Sequence, residues 1–215
     1  MILLLAGLAL APLQNPVTDL LLEVRKHYGT LERFEARIVH HDSSGLFPGD
    51  YEQHLVWTGK HTFELKVTKK SGYKPIPGHG GTNAPDYIAK GGTVTSRPSD
   101  RPEHTEDIVP RPNTMPGWEV SGGVALSFLE NTHNVDLYFG KERPDYEVAM
   151  SMGTTKLWKK HAVREIVIEW KGPNHTAKGS LFIDAKRPLF VGDAYNGGWM
   201  LYEDVRTVPP NAQSQ

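Results

Sequence analysis

The sequence predicts an α+β fold, one curved antiparallel sheet beneath two helices. Three observations carry this. An amphipathic helical stripe opens the chain, apolar residues then alternate with polar ones through short segments joined by turns, and a second apolar helix interrupts the strands before the C-terminal third returns to them.

Asn15-Pro16 places an N-cap residue before a proline at the first helical position, where a missing N–H is harmless. Val17, Leu20, Leu21, Val24, Tyr28 and Leu31 follow at three- and four-residue steps, opposite Asp19, Glu23, Arg25 and Lys26. Gly29 ends the helix. From Phe34 the period becomes two, with Phe34, Ala36, Ile38 and His40 on one face and Glu35, Arg37, Val39 and His41 on the other. Asp42-Ser43-Ser44-Gly45 is turn chemistry. A second strand runs from Tyr51 to Trp57, Thr58-Gly59-Lys60 breaks it, and Phe63, Leu65 and Val67 mark the inner face of a third.

Residues 71–117 are dense in Gly and Pro, so loops with short strands are expected there. Ile88 to Thr95 predicts a hairpin through Gly91-Gly92, while five prolines between Arg97 and Pro116 preclude long regular structure and make 71–116 a candidate flap. Ser121 is expected to cap the second helix, with Val124, Ala125, Phe128 and Leu129 on its apolar face and Asn131 or Asn134 near its end. Strands are then predicted at Ala162–Trp170, His175–Asp184, Leu189–Ala194 and Trp199–Val208, joined by turns of Gly, Pro, Asn and Lys.

Met1 to Ala11 is apolar throughout, too short to span a bilayer and suited to a signal-peptide core, with Ala9-Leu10-Ala11 as the cleavage site. The expected organisation is a signal peptide over 1–14, one domain over 15–210 and a tail over 211–215. The expected location is periplasmic or secreted. Twenty-one glycines and 16 prolines in 215 residues stay under the roughly 25–30% that marks a disordered chain. A net charge of −1 provides no field to gather nucleic acid, and zero cysteines exclude a disulfide scaffold, a thiolate nucleophile and Cys-type metal sites.

Among the ten histidines no H-E-x-x-H spacing occurs, and His40 and His41, neighbours on a strand, point to opposite faces; exposed polar histidines are the expectation. Gly78-His79-Gly80-Gly81 has the look of a lipase oxyanion loop, but no G-x-S-x-G accompanies it, so it is taken as a turn, like Asn174-His175-Thr176. Asp50/Glu52 and Glu203/Asp204 are wet carboxylate pairs without the shielding that raises a pKa. No catalytic residue, cofactor or metal ligand is assigned, and no enzymatic activity is expected. Trp57, Phe63, Leu65, Phe128, Ile166, Ile168, Trp170, Phe182 and Trp199 are expected on the dry face of the sheet, as a filled core on residue grounds alone.

The order of elements resembles the periplasmic lipoprotein-carrier family (LolA-like), including its RseB-type sensor domains. The matching stretches are Tyr28 to Ala36, Leu55-Val56-Trp57 with Phe63-Glu64-Leu65, Gly91-Gly92-Thr93-Val94, and Leu181-Phe182-Ile183-Asp184 followed by Pro188. The resemblance implies an incomplete β-barrel, a half-barrel covered by helices, whose concave apolar face takes acyl chains of a lipoprotein or another lipid. The ligand-binding residues are then Ile38, Trp57, Phe63, Leu65, Phe128, Ile166, Ile168, Trp170, Phe182 and Trp199, with Lys60 and Arg37 as headgroup contacts. Where the carriers have Arg-Pro after the Trp strand, this chain has Gly59-Lys60-His61, which makes it a divergent member. The expected partner is a lipid or lipoprotein acyl chain bound by a monomer; the other reading is an envelope sensor or scaffold domain that binds another protein.

Overall fold

Asn15 begins the first helix as its chemistry predicts: its Oδ1 accepts the Val17 N–H at 3.1 Å. The computed structural model describes residues 15–42, 49–71, 85–98, 102–108, 117–139, 147–172, 176–195 and 197–209. Residues 1–14, the turn after Asp42, the Gly78–Gly81 motif, most of the candidate flap, Asn174-His175 and the tail lie outside them. In α1 (Pro16–Gly29) the predicted stripe is buried, and Lys26 stands in the last turn, where a cation suits the helix dipole.

The strands are β1 (Arg33–Asp42), β2 (Gly49–Trp57), β3 (Phe63–Ser71), β4 (Asp86–Lys90), β5 (Thr93–Arg97), β6 (His104–Asp107), β7 (Glu147–Met152), β8 (Lys156–Trp158), β9 (His161–Lys171), β10 (Thr176–Asp184), β11 (Phe190–Tyr195) and β12 (Gly198–Val208). Two further helices, α2 (Gly117–Glu130) and α3 (His133–Leu137), separate β6 from β7. All strands join one 12-stranded antiparallel sheet in the order β6-β5-β4-β3-β2-β1-β12-β11-β10-β9-β7, with β8 on β9. The ends of this path, β6 and β7, are not partners, so the sheet is open. Helix cover is minimal: α2 lies on the sheet, and α1 packs on α2 and β7.

The two halves of the sheet meet where β1 pairs with β12, from Arg33↔Val208 to His41↔Trp199. A bulge in this seam leaves Asp204 at φ 53°, and Arg37 clamps it by binding Glu203, Asp204 (3.3 Å) and, on β2, Glu52 (3.2 Å). The predicted hairpin turns through Gly91 and Gly92 at φ 62° and 90°, the positive angles that a tight two-residue connection demands.

Period-two alternation sorts the apolar residues into two clusters. The larger one fills the concave side: Phe34, Ile38, Leu55, Phe63, Leu65, Ile166 and Ile168 of the sheet pack against α1 and α2. The smaller one, Val163, Phe182, Val191 and Leu201 with Trp158 and Trp199 against it, lies on the convex side. Phe182 and Trp199 are therefore not on the inner face. Leu181 and Ile183 take the inward positions of β10, which turns Phe182 outward, where Trp158 stacks on it at 4.0 Å and Lys159 Nζ sits 3.6 Å from the Trp199 ring.

The second helix also departs from expectation. It starts at Gly117, so Ser121 lies inside it rather than capping it, and it is broken at Gly123 (φ 64°, ψ −162°). A Cβ at Gly123 would stand 2.3 Å from Met200 Sδ and 2.4 Å from Tyr202 Oη, so the position excludes side chains by backbone angle and by space. Gly123→Ala is expected to lower unfolding free energy by about 1–3 kcal/mol or more, and Gly29→Ala, with open space at its Cβ, to leave it unchanged or slightly raised. Urea unfolding of both variants checks this; equal midpoints would contradict the break.

Candidate functional site

The concave face is the candidate site, and α2 occupies it. From Val124 to Glu130 every residue of α2 is buried, so the helix has no solvent face there, unlike an ordinary surface helix. Ile38, Leu55, Leu65, Ile166 and Ile168 have 0% exposure. A water-sized void against them would expose some of their surface, so this part of the face is filled by side chains.

The broken helix needs partners for its freed backbone groups, and the sheet supplies them. Tyr202 Oη donates to the Gly122 carbonyl and accepts the Ala125 N–H, both at 3.1 Å. Asp193 on β11 accepts the Val124 N–H. At the far end of α2, the Glu130 carboxylate, with 1% of its side chain exposed, takes three donors. They are Trp57 Nε1 at 2.7 Å, the His61 N–H at 3.0 Å and His61 Nδ1 at 2.9 Å. Glu119 in the first turn accepts the Ser127 hydroxyl at 2.7 Å and that of Thr132 at 2.5 Å. From Val124 to Glu130 the helix is thus buried around its circumference, largely by apolar contacts, and fastened at its break and its ends by hydrogen bonds.

A second polar group lies beside the break. Asp193, Met200, His40 and Tyr51 are register partners across β11, β12, β1 and β2. His40 is 5% exposed and stacks on Tyr51 at 4.0 Å; Gln53, two residues along β2, is fully buried. Their inward position corrects the expectation of exposed histidines, although the opposite faces of His40 and His41 are as predicted: His41 stacks on Trp199. Burial pushes His40 down to about 3 and Asp193 up to about 7, so near neutrality the imidazole is uncharged and the carboxyl is divided between its two forms.

The other predicted site residues divide clearly. Ile38, Trp57, Phe63, Leu65, Phe128, Ile166, Ile168 and, at the margin, Trp170 share the concave cluster. Phe182 and Trp199 do not. Arg37 faces the convex side with its three acidic partners, which removes it from any headgroup contact inside the concavity. Lys60 is exposed in the β2–β3 turn, next to the His61 that holds Glu130. Among the described residues no group of three or more His, Asp or Glu is arranged to hold a metal ion.

No protein-family profile matches the sequence, and no curated protein does. Solved structures similar to the chain at low identity include the following. The lipoprotein LppX of Mycobacterium tuberculosis matches at 11% identity over 90% of this chain and 98% of that one, with a TM-score of 0.45. LprF from Mycobacterium bovis matches at 8% over 91% and 96%, with 0.48. A LolA superfamily protein from Nitrosomonas europaea matches at 10% over 90% and 94%, with 0.39.

Sequence reasoning missed Glu130, Tyr202, Asp193 and Gln53. The available signals were Gly122-Gly123 inside an apolar helix and a lone Asp in the apolar strand Leu189–Ala194. Asp193 and His40 titrate with opposite effects on stability. Between about pH 4 and 7 the unfolded Asp193 has lost a proton that the folded state keeps, so its contribution falls as pH rises. Between about pH 3 and 6.5 the unfolded His40 holds a proton that the folded state lacks, so its contribution rises with pH. Relative to the unaltered protein, Asp193→Asn should therefore make the slope of stability against pH more positive over that window and His40→Phe more negative, each by at most about 1.4 kcal/mol per pH unit. Urea midpoints from pH 4 to 7 check the two signs; parallel profiles would contradict the burial of both groups.

Proposed function

We propose that the chain is an exported, non-enzymatic carrier or binding protein for a lipid, whose acyl chains take the place of α2 against the concave face of the open sheet. The observation that carries this is the contrast within α2: burial on every side from Val124 to Glu130, mostly by apolar contacts, but fastening to the sheet by a few hydrogen bonds at Gly122–Ala125 and Glu130. An acyl chain offers the sheet the same apolar contact as the helix, at about 0.8 kcal/mol per CH₂ removed from water. Exchange of helix for lipid then leaves the apolar burial of the sheet nearly constant, and the polar fastenings set the balance. Release follows the reverse exchange, when α2 returns and the lipid passes to a competing site.

Export rests on the Met1–Ala11 segment, with a domain over 15–210 following it and a monomer as the working form. No helix among the described residues is long and apolar enough to cross a membrane. Lipoprotein acyl chains are one ligand class; other lipids with similar chains fit the same face. A sensor or scaffold role would draw on exposed apolar surface, for which the described residues supply Leu22, Val120, Met152, Leu157 and Val208, one on each of five elements.

The test is to purify the full chain without detergent, extract bound lipid, and compare amide exchange of the empty and loaded protein. Near-stoichiometric lipid, with loss of protection confined to 117–130 on loading, is the expected result. Lipid binding with α2 protection unchanged would rule out the exchange, and a protein that takes up no lipid would leave the sensor reading in its place.

A further inference from the structure

The concave face carries two buried side chains whose hydrogen bonding is incomplete. Gln53 has no exposed surface, and neither its Nε2 nor its Oε1 has a partner; His40 is 5% exposed, and its Nε2 has none. The amide is near enough to the imidazole to favour its charged form weakly but lies outside hydrogen-bond geometry. Leaving a buried donor or acceptor unmade is destabilising, and native structures keep few of them. A residue pair that an apolar Leu and Phe could replace is therefore out of place in a core whose only task is to be filled.

Its position is informative. His40 is the register partner of Met200, and Ile38, beside Gln53 on β2, is the partner of Tyr202. Met200 and Tyr202 are the two side chains against which Gly123 of α2 rests. The polar pair thus lies one and two strands from the break in the helix, beside the surface that α2 covers.

We propose that His40 and Gln53 form a subsite for the uncharged polar head of the lipid, a glyceride hydroxyl, ester or amide, whose acyl chains take the place of α2. The idea rests on the carrier reading and narrows its ligand class. The free carboxamide presents a donor and an acceptor side by side, and the imidazole adds one more nitrogen, which matches a group that both donates and accepts. The choice of a neutral head follows from the charges. Glu119, Glu130 and Asp193 are buried on the concave side, while no Lys or Arg is among the buried side chains described. Among the described side chains no cation lies beside the pair: Arg164, on the inward face of β9, is four strands from His40 and bound to Glu23 of α1. Desolvating an unpaired phosphate or carboxylate beside these acids is strongly unfavourable.

The experiment measures binding of three probes to the full chain: dioleoylglycerol, oleate and dioleoyl phosphatidylglycerol. Dioleoylglycerol should bind at least tenfold tighter than either anion, as two or three net hydrogen bonds provide. Gln53→Leu and His40→Phe should each reduce that preference severalfold and the double variant should abolish it, while Gln53→Leu raises the unfolding midpoint by removing unsatisfied groups. The midpoint also verifies that each variant is folded. Equal binding of the three probes, tighter binding of an anion, or a preference untouched in both folded variants overturns the subsite and leaves the carrier reading standing. Failure of the unaltered protein to bind any probe overturns both.

Discussion

A helix broken in the middle of an apolar core sets the terms for the rest of the molecule. At Gly122–Gly123 the backbone leaves helical geometry, and the groups it frees are out of reach of water. They must be met by the sheet, and only a strand position directly beneath can meet them. Tyr202 and Asp193 hold those positions, on adjacent strands. Met200 lies between them and forbids any Cβ at residue 123. The buried Asp with its elevated pKa, the obligatory glycine and the inward tyrosine are one arrangement seen from three sides.

That arrangement depends in turn on the seam between β1 and β12. Tyr202 and Met200 are on β12, His40 and Ile38 on β1, and the strands meet only when the N-terminal and C-terminal halves of the sheet have both formed. Tyr28 of α1 adds a second tie between the halves, its hydroxyl accepting the Phe190 N–H at 3.2 Å. Contacts so distant in sequence close large loops, so the concave site is among the last parts of the fold expected to form. A site assembled late and fastened by few bonds is also one of the easiest to open locally.

Much of this fold is legible in the sequence alone. The Asn15-Pro16 cap and the stripe from Val17 to Tyr28 specify α1 through local chemistry, and alternation in β1, β2 and β3 specifies their inner faces because each has one polar side. The β10 segment is different: Leu181, Phe182 and Ile183 are all apolar, alternation is silent, and only pairing shows which of them faces inward. In β7, Val148, Met150 and Met152 alternate with Glu147, Ala149 and Ser151, a period that the sequence reading passes over, while β8 is too short, at Lys156–Trp158, to show one. The polar part of the site is least legible, because Asp193 acquires its character beneath the Val124 N–H of α2 and His40 from burial against Tyr51, properties of packing rather than of spacing.

The limits of what an acyl chain can replace point to how such a site discriminates. A hydrocarbon can stand in for Leu126 or Phe128 against the sheet, since dispersion and dehydration depend little on chemical identity. It can offer nothing to Tyr202, Asp193 or the Glu130 pocket once the helix leaves them. Those groups either find water at the rim or remain unsatisfied, at about 1–3 kcal/mol each. On the carrier reading, the chain of the lipid would supply affinity that any lipid shares, whereas the groups uncovered on the sheet would decide which head is admitted. Selectivity would then belong to the few polar residues of the concave face rather than to its many apolar ones.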